Sequence, residues 1–224
     1  MKNSIQKIDQ KRCVIFFDFD NTVTTVDVLD DMIERFSVDN RWKELEARWK
    51  KGEIGSRKCL EGQLEGIRMT RKFLNEYLCS IRLDPYFKLL VNFIRHREIR
   101  TYIISDNFDY FLKTVLKHNN LFYFKTFCNA IRLKNQAFFP GFPFSNDSCG
   151  LCGHCKKRTL LGRLHHDDFC IYIGDGRSDI CPSRSAQIVF AKDELLRYYN
   201  AHKLPCIPFK NLNTVYTFLQ RRLK

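Results

Sequence analysis

Asp18 and Asp20 stand two positions apart, directly after the apolar run Cys13-Val14-Ile15-Phe16-Phe17. A short run rich in β-branched and aromatic residues is expected to form a buried strand. Both carboxylates then fall at the C-terminal tip of that strand, where open α/β sheets bind ligands. Strand alternation aims them to one side. Two like charges so close require a cation, or one of them must keep its proton. A Mg²⁺ held by carboxylate oxygens satisfies the first condition. A calcium loop or a plain acidic strand end is the competing interpretation of these residues alone.

Three further groups could do chemistry. Ser105 closes the run Arg100-Thr101-Tyr102-Ile103-Ile104, and a hydroxyl at a strand tip can donate to a phosphate oxygen. It could equally cap the helix that follows. Lys156 and Lys157 sit at the start of a helical stretch, where only one of the two can face a site. Tyr172-Ile173-Gly174-Asp175-Gly176-Arg177-Ser178-Asp179 places two more carboxylates after another strand-like run, with Gly174 and Gly176 allowing a tight turn.

These residues depend on elements that the pattern of the chain predicts. Strands are expected at 13–17, 99–105, 169–173, 187–190 and 206–209, with a hairpin within 124–144. Helices are expected across 26–83, broken near Gly52 and Gly55, then at 86–96, 109–117, 194–202 and 212–223. Asp84-Pro85 reads as the start of the 86–96 helix. Strands alternating with helices imply an α/β fold with a mostly parallel, Rossmann-like sheet.

Composition bounds the function. The chain has 224 residues, 44% of them hydrophobic, and 20 Phe, which is ample for a large aromatic core. The net charge of +13 favours anionic partners. The 15 Lys/Arg and 8 Asp/Glu between residues 40 and 100 are interleaved at helical spacing, as on a solvated face, which argues against nucleic acid. No apolar run approaches the ~20 residues of a membrane span. Residues 1–12 are polar and charged, unlike a signal peptide, so the expected location is cytoplasmic. The ten Cys are then expected as thiols or metal ligands.

In this order, the motifs resemble those of the haloacid dehalogenase (HAD) superfamily: Asp18-Phe19-Asp20-Asn21-Thr22, then Ser105, then Cys155-Lys156, then Gly174-Asp175-Gly176 through Asp179. The helices between the first and second motifs resemble the inserted cap of its phosphoserine-phosphatase-like branch. The resemblance implies a catalytic core from 1–25 and 84–224 and a helical cap from 26–83. It implies Mg²⁺-dependent hydrolysis of a small phosphorylated metabolite through an aspartyl-phosphate, with a phosphotransferase as the nearer alternative. Asp18 would be the nucleophile and Asp20 the general acid/base. Asp18, the Asp20 carbonyl and Asp175 would hold the metal, with Asp179 behind them. Ser105, Asn107 and Lys156 would bind phosphate. Thr22 would order the first loop, and Asp27 and Arg57 would contact substrate from the cap. Within the branch, segments at 18–27, 56–60 with Gln63, Cys155-Lys156 and 174–193 resemble the methionine-salvage phosphatases acting on 2-hydroxy-3-keto-5-methylthiopentenyl-1-phosphate. Phosphoethanolamine/phosphocholine and pyridoxal-phosphate phosphatases are also similar. The oligomeric state is open.

Cys149-Gly-Leu-Cys152-Gly-His-Cys155 stands apart. Its spacing resembles a zinc knuckle, with His154, His165 or Cys181 as a fourth ligand to a structural Zn²⁺. The other expectation is a reduced Cys-rich loop. A basic zinc-containing module that binds nucleic acid would be the function from a different class.

Overall fold

The computed structural model describes residues 7–121, 124–146, 148 and 152–223. The chain opens with strand β1 (Cys13–Phe17), then four helices in succession: α1 (Val28–Phe36), α2 (Arg41–Lys50), α3 (Ser56–Glu65) and α4 (Arg71–Ser80). Next come α5 (Phe87–His96), β2 (Arg100–Phe108), α6 (Asp109–His118) and the hairpin β3 (Lys125–Lys134) and β4 (Ala137–Gly141). The remainder is α7 (Lys156–Leu161), β5 (Phe169–Gly174), α8 (Ile180–Ser183), β6 (Ile188–Ala191), α9 (Asp193–Ala201), β7 (Ile207–Pro208) and α10 (Asn213–Arg222). No helix among the described residues is long and apolar enough to cross a membrane.

The seven strands form one sheet in the order β4-β3-β2-β1-β5-β6-β7. Every neighbouring pair is parallel except the β3–β4 hairpin. That hairpin turns through Asn135 and Gln136, both at positive φ (49° and 63°), the backbone of a tight two-residue turn. Parallel strands covered on both faces read as continuous apolar runs. β1 obeys this: all five residues are buried. Ile15 and Phe17 pack with α1, α5 and α10 on one face, and Val14 and Phe16 meet Leu160 and Tyr172 on the other. Burying such a side chain is worth about 1.5–3 kcal/mol, so β1 is firmly anchored in the sheet.

The order of the strands creates the site. From β1 the chain winds outward through β2 and β3, then returns to the other side of β1 as β5. Strand order reverses at β1, and the crevice at the carboxyl ends of β1, β2 and β5 is the topological switch point. β2 runs three residues beyond the expected 99–105, through an irregularity between Ile104 and Phe108. Asp106-Asn107 reads locally as a turn. Burial of Asn107 and Phe108 keeps the chain extended there, and neither Asp106 nor Asn107 adopts a positive φ.

Asp84 ties the start of two helices together. Its backbone N–H donates to the Val23 carbonyl (2.9 Å), Oδ1 accepts from Tyr86 N (2.9 Å), and Oδ2 accepts from Leu212 N (3.1 Å). Because the carboxylate is buried, removing it strands two backbone donors. Asp84→Ala should lower the unfolding free energy by about 1–3 kcal/mol, read by urea denaturation.

Candidate active site

The loop after β1 is shaped by one carbonyl. Phe19 O accepts from Val23 N (2.8 Å), Thr24 N (3.0 Å), Thr24 Oγ1 (3.1 Å) and Thr22 N (3.3 Å). Asn21 sits at φ 51°, a conformation Asn tolerates. Asp18 extends the β1–β5 ladder by one bond, its N–H donating to Ile173 O at 2.9 Å, which brings it beside Gly174 and Asp175. The Thr22 hydroxyl donates to Asp175 Oδ1 (3.2 Å), so Thr22 joins the first loop to the loop after β5.

Asp20 is held from three directions. Oδ1 accepts from Val28 N (2.9 Å) and Asn107 Nδ2 (2.9 Å), and Oδ2 accepts from Asn107 Nδ2 (3.2 Å) and the Ser105 hydroxyl (3.3 Å). Ser105 Oγ also accepts from Asn107 N at 3.0 Å. Ser105 and Asn107, expected on a phosphate, are here the tether of Asp20. With its carboxylate so engaged, Asp20 could offer a metal its main-chain carbonyl.

Lys156 is buried and Lys157 exposed, which separates the two lysines. Lys156 Nζ donates to Asp18 Oδ1 (2.7 Å) and to Asp179 Oδ1 (2.8 Å). Asp179 is saturated: Oδ1 also accepts from Tyr172 OH (2.7 Å), and Oδ2 accepts from the N–H groups of Asp175 (3.0 Å) and Gly176 (3.1 Å). That network explains Gly174. A Cβ there would lie 2.4 Å from Asp179 Oδ2. Gly176 has no such need, with open space around it and a negative φ of −105°.

Carboxylates outnumber cations here. Oxygens of Asp18, Asp175 and Asp179 lie within 4.8 Å of one another, and all three residues are buried. Burial and the neighbouring Asp179 push Asp18 well above the usual carboxylate range, against the pull of Lys156. Burial and Asp179 push Asp175 up to about 7. Burial raises Asp20, opposed by the bonds from Val28 and Asn107. Burial alone would lower the Lys156 ammonium, but Asp179 and Asp18 outweigh it and hold its pKa well above the ordinary lysine value. One ammonium does not neutralise four carboxylates, three of them buried, and hard oxygen donors in excess fit a small divalent cation. Since Asp179 is already spent on four donors, Asp18 and Asp175 are the carboxylates with capacity left for it.

Above these groups lies a cavity of about 320 Å³, lined by Asp18, Asp20, Lys156 and Asp175 below and by Trp49 and Gln63 above. Asp27 lines it too, while capping α1 by accepting from Leu29 N (3.1 Å) and Asp30 N (2.9 Å). Arg57 is not among the lining residues. Its guanidinium lies 5.3 Å from the Phe142 ring centre and bonds Glu61, so the structure does not bring it to the cavity, whereas the preceding Ser56 lines it. Helical periodicity hid Trp49 and Lys50, because nothing local distinguishes a helix face that covers a cavity from one that covers solvent; Gln63 was marked by the resemblance alone. Tyr172 was hidden as an ordinary strand aromatic. Arg177 was visible within the fourth motif but assigned no part, and it donates to the Lys50 carbonyl at 2.7 Å.

The zinc expectation fares differently. Cys149 lies outside the described residues. Among the described residues the cluster of donors close enough to share an ion is the aspartate trio, and neither Cys152 nor Cys155 belongs to it. His154 commits both ring nitrogens elsewhere, to Ser105 O (3.1 Å) and Thr159 Oγ1 (2.8 Å). A structural zinc has no support here.

A doubly wound sheet with clustered aspartates at its switch point and a buried lysine across from them defines a phosphoserine-phosphatase-like phosphatase of the HAD superfamily. Two solved phosphoserine phosphatases share the fold. One, a phospho-aspartyl intermediate analogue, has a TM-score of 0.70 at 16% identity, covering 96% of this chain and 99% of that one. The other, a substrate-bound complex, has a TM-score of 0.71 at 16% identity, covering 96% and 100%. The 2-hydroxy-3-keto-5-methylthiopentenyl-1-phosphate phosphatase of Geobacillus thermodenitrificans is 26% identical over 220 residues, covering 95% of this chain and 97% of that protein. The family described as "Putative Phosphatase" matches residues 13–196, and the chain belongs to it. It is an enzyme that hydrolyses phosphate monoesters.

The two glycines of the fourth motif separate steric need from sequence habit. Gly174→Ala should displace Asp179 and cost about 1–3 kcal/mol of stability, the usual cost of overpacking. Gly176→Ala should melt close to the parent protein. Thermal melting of the pair checks both, and equal losses would contradict the assigned roles.

Proposed function

We propose that the protein hydrolyses a small phosphorylated metabolite in the presence of Mg²⁺, through an aspartyl-phosphate on Asp18, with residues 26–83 acting as the cap over the site. The observation that carries this is the Lys156–Asp18 contact at 2.7 Å inside a carboxylate-rich strand-tip cavity. A buried carboxylate held by a lysine, with a second carboxylate tethered two residues on, has the parts of a nucleophile and its acid/base partner.

Asp18, Asp175 and the Asp20 carbonyl would hold the metal. When bound, the divalent cation supplies positive charge that screens carboxylate from phosphate. An Asp18 oxygen attacks phosphorus, and the bond from phosphorus to the ester oxygen breaks. Asp20, whose pKa is raised by burial, gives its proton to the leaving alkoxide. It then takes a proton from the water that attacks the phosphoryl group, the Asp18–phosphorus bond breaks, and phosphate leaves. Lys156, on the cavity lining, would hold the oxygens where charge is carried, and the Ser105 hydroxyl, bonded to Asp20 here, would turn from that carboxylate to join it.

The cavity volume of about 320 Å³ suits a small phosphomonoester rather than a polymer or a lipid. The substrate named for the 26%-identical relative is of that size class and heads the panel to be tested. Phosphoethanolamine and phosphocholine belong on the same panel. Phosphate release with Mg²⁺ across it tests the reading, and absence of release from every member would overturn it.

Asp18→Asn should keep the fold and reduce turnover by at least about 10³-fold, because a neutral amide cannot form the acyl-phosphate. Sustained multiple turnover by the pure variant would remove Asp18 from the mechanism.

Protons and metal compete for the same carboxylates. A folded-state pKa raised to about 7 at Asp175 means that its contribution to stability is present at low pH and is lost as pH rises from ~4 towards 7. Asp18 is shifted in the same direction. Mg²⁺ should therefore raise the melting temperature clearly at pH 8 and much less at pH 5, and EDTA should abolish both the rise and the activity. A melting temperature indifferent to Mg²⁺ at pH 8 would contradict the site.

A further inference from the structure

The loop entering α7 carries a buried histidine that the phosphatase reaction itself leaves without a part. His154 is 1% exposed, and its ring stacks on Phe144 with centroids 4.9 Å apart. Its Nδ1 lies 3.1 Å from the main-chain carbonyl of Ser105, and its Nε2 lies 2.8 Å from Thr159 Oγ1. A carbonyl only accepts, so Nδ1 carries the hydrogen, and Nε2 accepts from the Thr159 hydroxyl. Burial, and then Lys156, lower the pKa of the ring to about 3, which keeps it in this neutral form.

The two bonds span two elements. Ser105 lies in β2 beside Asp20, while Thr159 lies in α7, three residues after Lys156 and so on the same helix face. The loop itself is pinned at each step. Lys156 N donates to the His154 carbonyl (2.9 Å), Cys155 N donates to Phe144 O (2.9 Å), and Gly153 N donates to Ser56 Oγ (2.8 Å) on α3. A Cβ at Gly153 would meet the Phe142 ring at 2.9 Å, so the loop lies hard against its neighbours.

We propose that His154 is a positioning residue whose imidazole sets the separation between Ser105 and Lys156 across the phosphate site, and that the Gly153–Ser56 bond extends this clamp to the cavity wall on α3. The proposal rests on the reading of Ser105 and Lys156 as phosphate contacts. The Cys-Gly-His-Cys sequence is then a hydrogen-bonded clamp built on its histidine rather than a knuckle built on its thiols. Displacing a phosphate-binding group by a fraction of an ångström to about 1 Å is enough to cost up to ~10²-fold in rate.

The test uses the full chain with Mg²⁺, p-nitrophenyl phosphate as substrate, and inorganic phosphate both as competitive inhibitor and as a calorimetric ligand. His154→Phe keeps the stacking on Phe144 but removes both hydrogen bonds, while His154→Gln keeps one donor and one acceptor. Thr159→Val removes the hydroxyl and Thr159→Ser keeps it. Expected are a ~10–100-fold loss of kcat/KM and ~10-fold weaker phosphate binding in His154→Phe. Thr159→Val should show a smaller loss in the same direction, with recovery in His154→Gln and Thr159→Ser. A purely structural histidine would lower the melting temperature and leave kcat, KM and phosphate binding of the folded protein unchanged, and that result overturns the proposal. If His154→Phe does not fold, the Thr159 pair decides, since Thr159→Val indistinguishable from Thr159→Ser overturns it equally. A parent protein without turnover defeats the reaction reading alone, because the phosphate titration still compares the variants. A parent that binds no phosphate defeats both.

Discussion

The ammonium of Lys156, dry and wedged between Asp18 and Asp179, is the constraint around which the site is arranged. At 2.7–2.8 Å and an effective dielectric near 20, each contact has a gross attraction of about 6 kcal/mol. Desolvating each ion costs several kcal/mol, so the triad returns little net stability. Its value is geometric. Lysine stays charged and in place only if both carboxylates stay in place, and each carboxylate belongs to a different strand tip. Asp179 is in turn fixed by Tyr172 and two backbone N–H groups, and the near approach of its carboxylate to Gly174 leaves no room for a side chain there.

The sheet converts that demand into a topology. β1 and β5 are neighbours although more than 150 residues separate Asp18 from Asp175, and the Thr22–Asp175 bond closes the gap between their loops. β2 contributes through its irregular end, where Ser105 and Asn107 both point at Asp20. The result divides the labour of two carboxylates by environment. Asp18 faces a lysine and the metal-suited cluster, whereas Asp20 faces neutral donors. Groups of the same type in differently polar surroundings are pushed toward different protonation behaviour.

Local pattern carried most of this architecture. The apolar run at 13–17 could only be an internal strand, and the aspartates after it had to emerge at its tip. The paired glycines and aspartates at 174–179 marked the partner loop, although the structure needs only Gly174 for steric reasons. What stayed hidden depends on contacts distant in sequence. The extension of β2 through Asp106 and Asn107 overrides a turn signal because burial and the bond to Asp20 outweigh local preference. Arg57 looked like a substrate contact by position, but Glu61 and Phe142 engage it away from the cavity. His154 looked like a ligand because Cys flanks it, yet a carbonyl and a hydroxyl occupy both its nitrogens. Ligand-like spacing cannot reveal which partner a buried ring finds in three dimensions.

Part of the charged cavity wall is engaged with itself, while Asp30, Glu194 and Arg197 line the cavity beside it. Asp27 caps α1, Lys50 pairs with Glu46, and Arg177 donates to the Lys50 carbonyl while lying 5.9 Å from the Trp49 ring centre. Charges already compensated by neighbours give a leaving group a weak electrostatic handle, since any new contact must compete with an existing one. The buried charges at the cavity are Asp18, Asp175 and Lys156. On the proposed reading, phosphate and metal would be held by these buried groups, and the remainder of the substrate would meet α2 and α3 residues such as Trp49, Ser56 and Gln63. The same chemical base could thus serve different phosphomonoesters by changes confined to α2 and α3, without disturbing the lysine-centred network beneath.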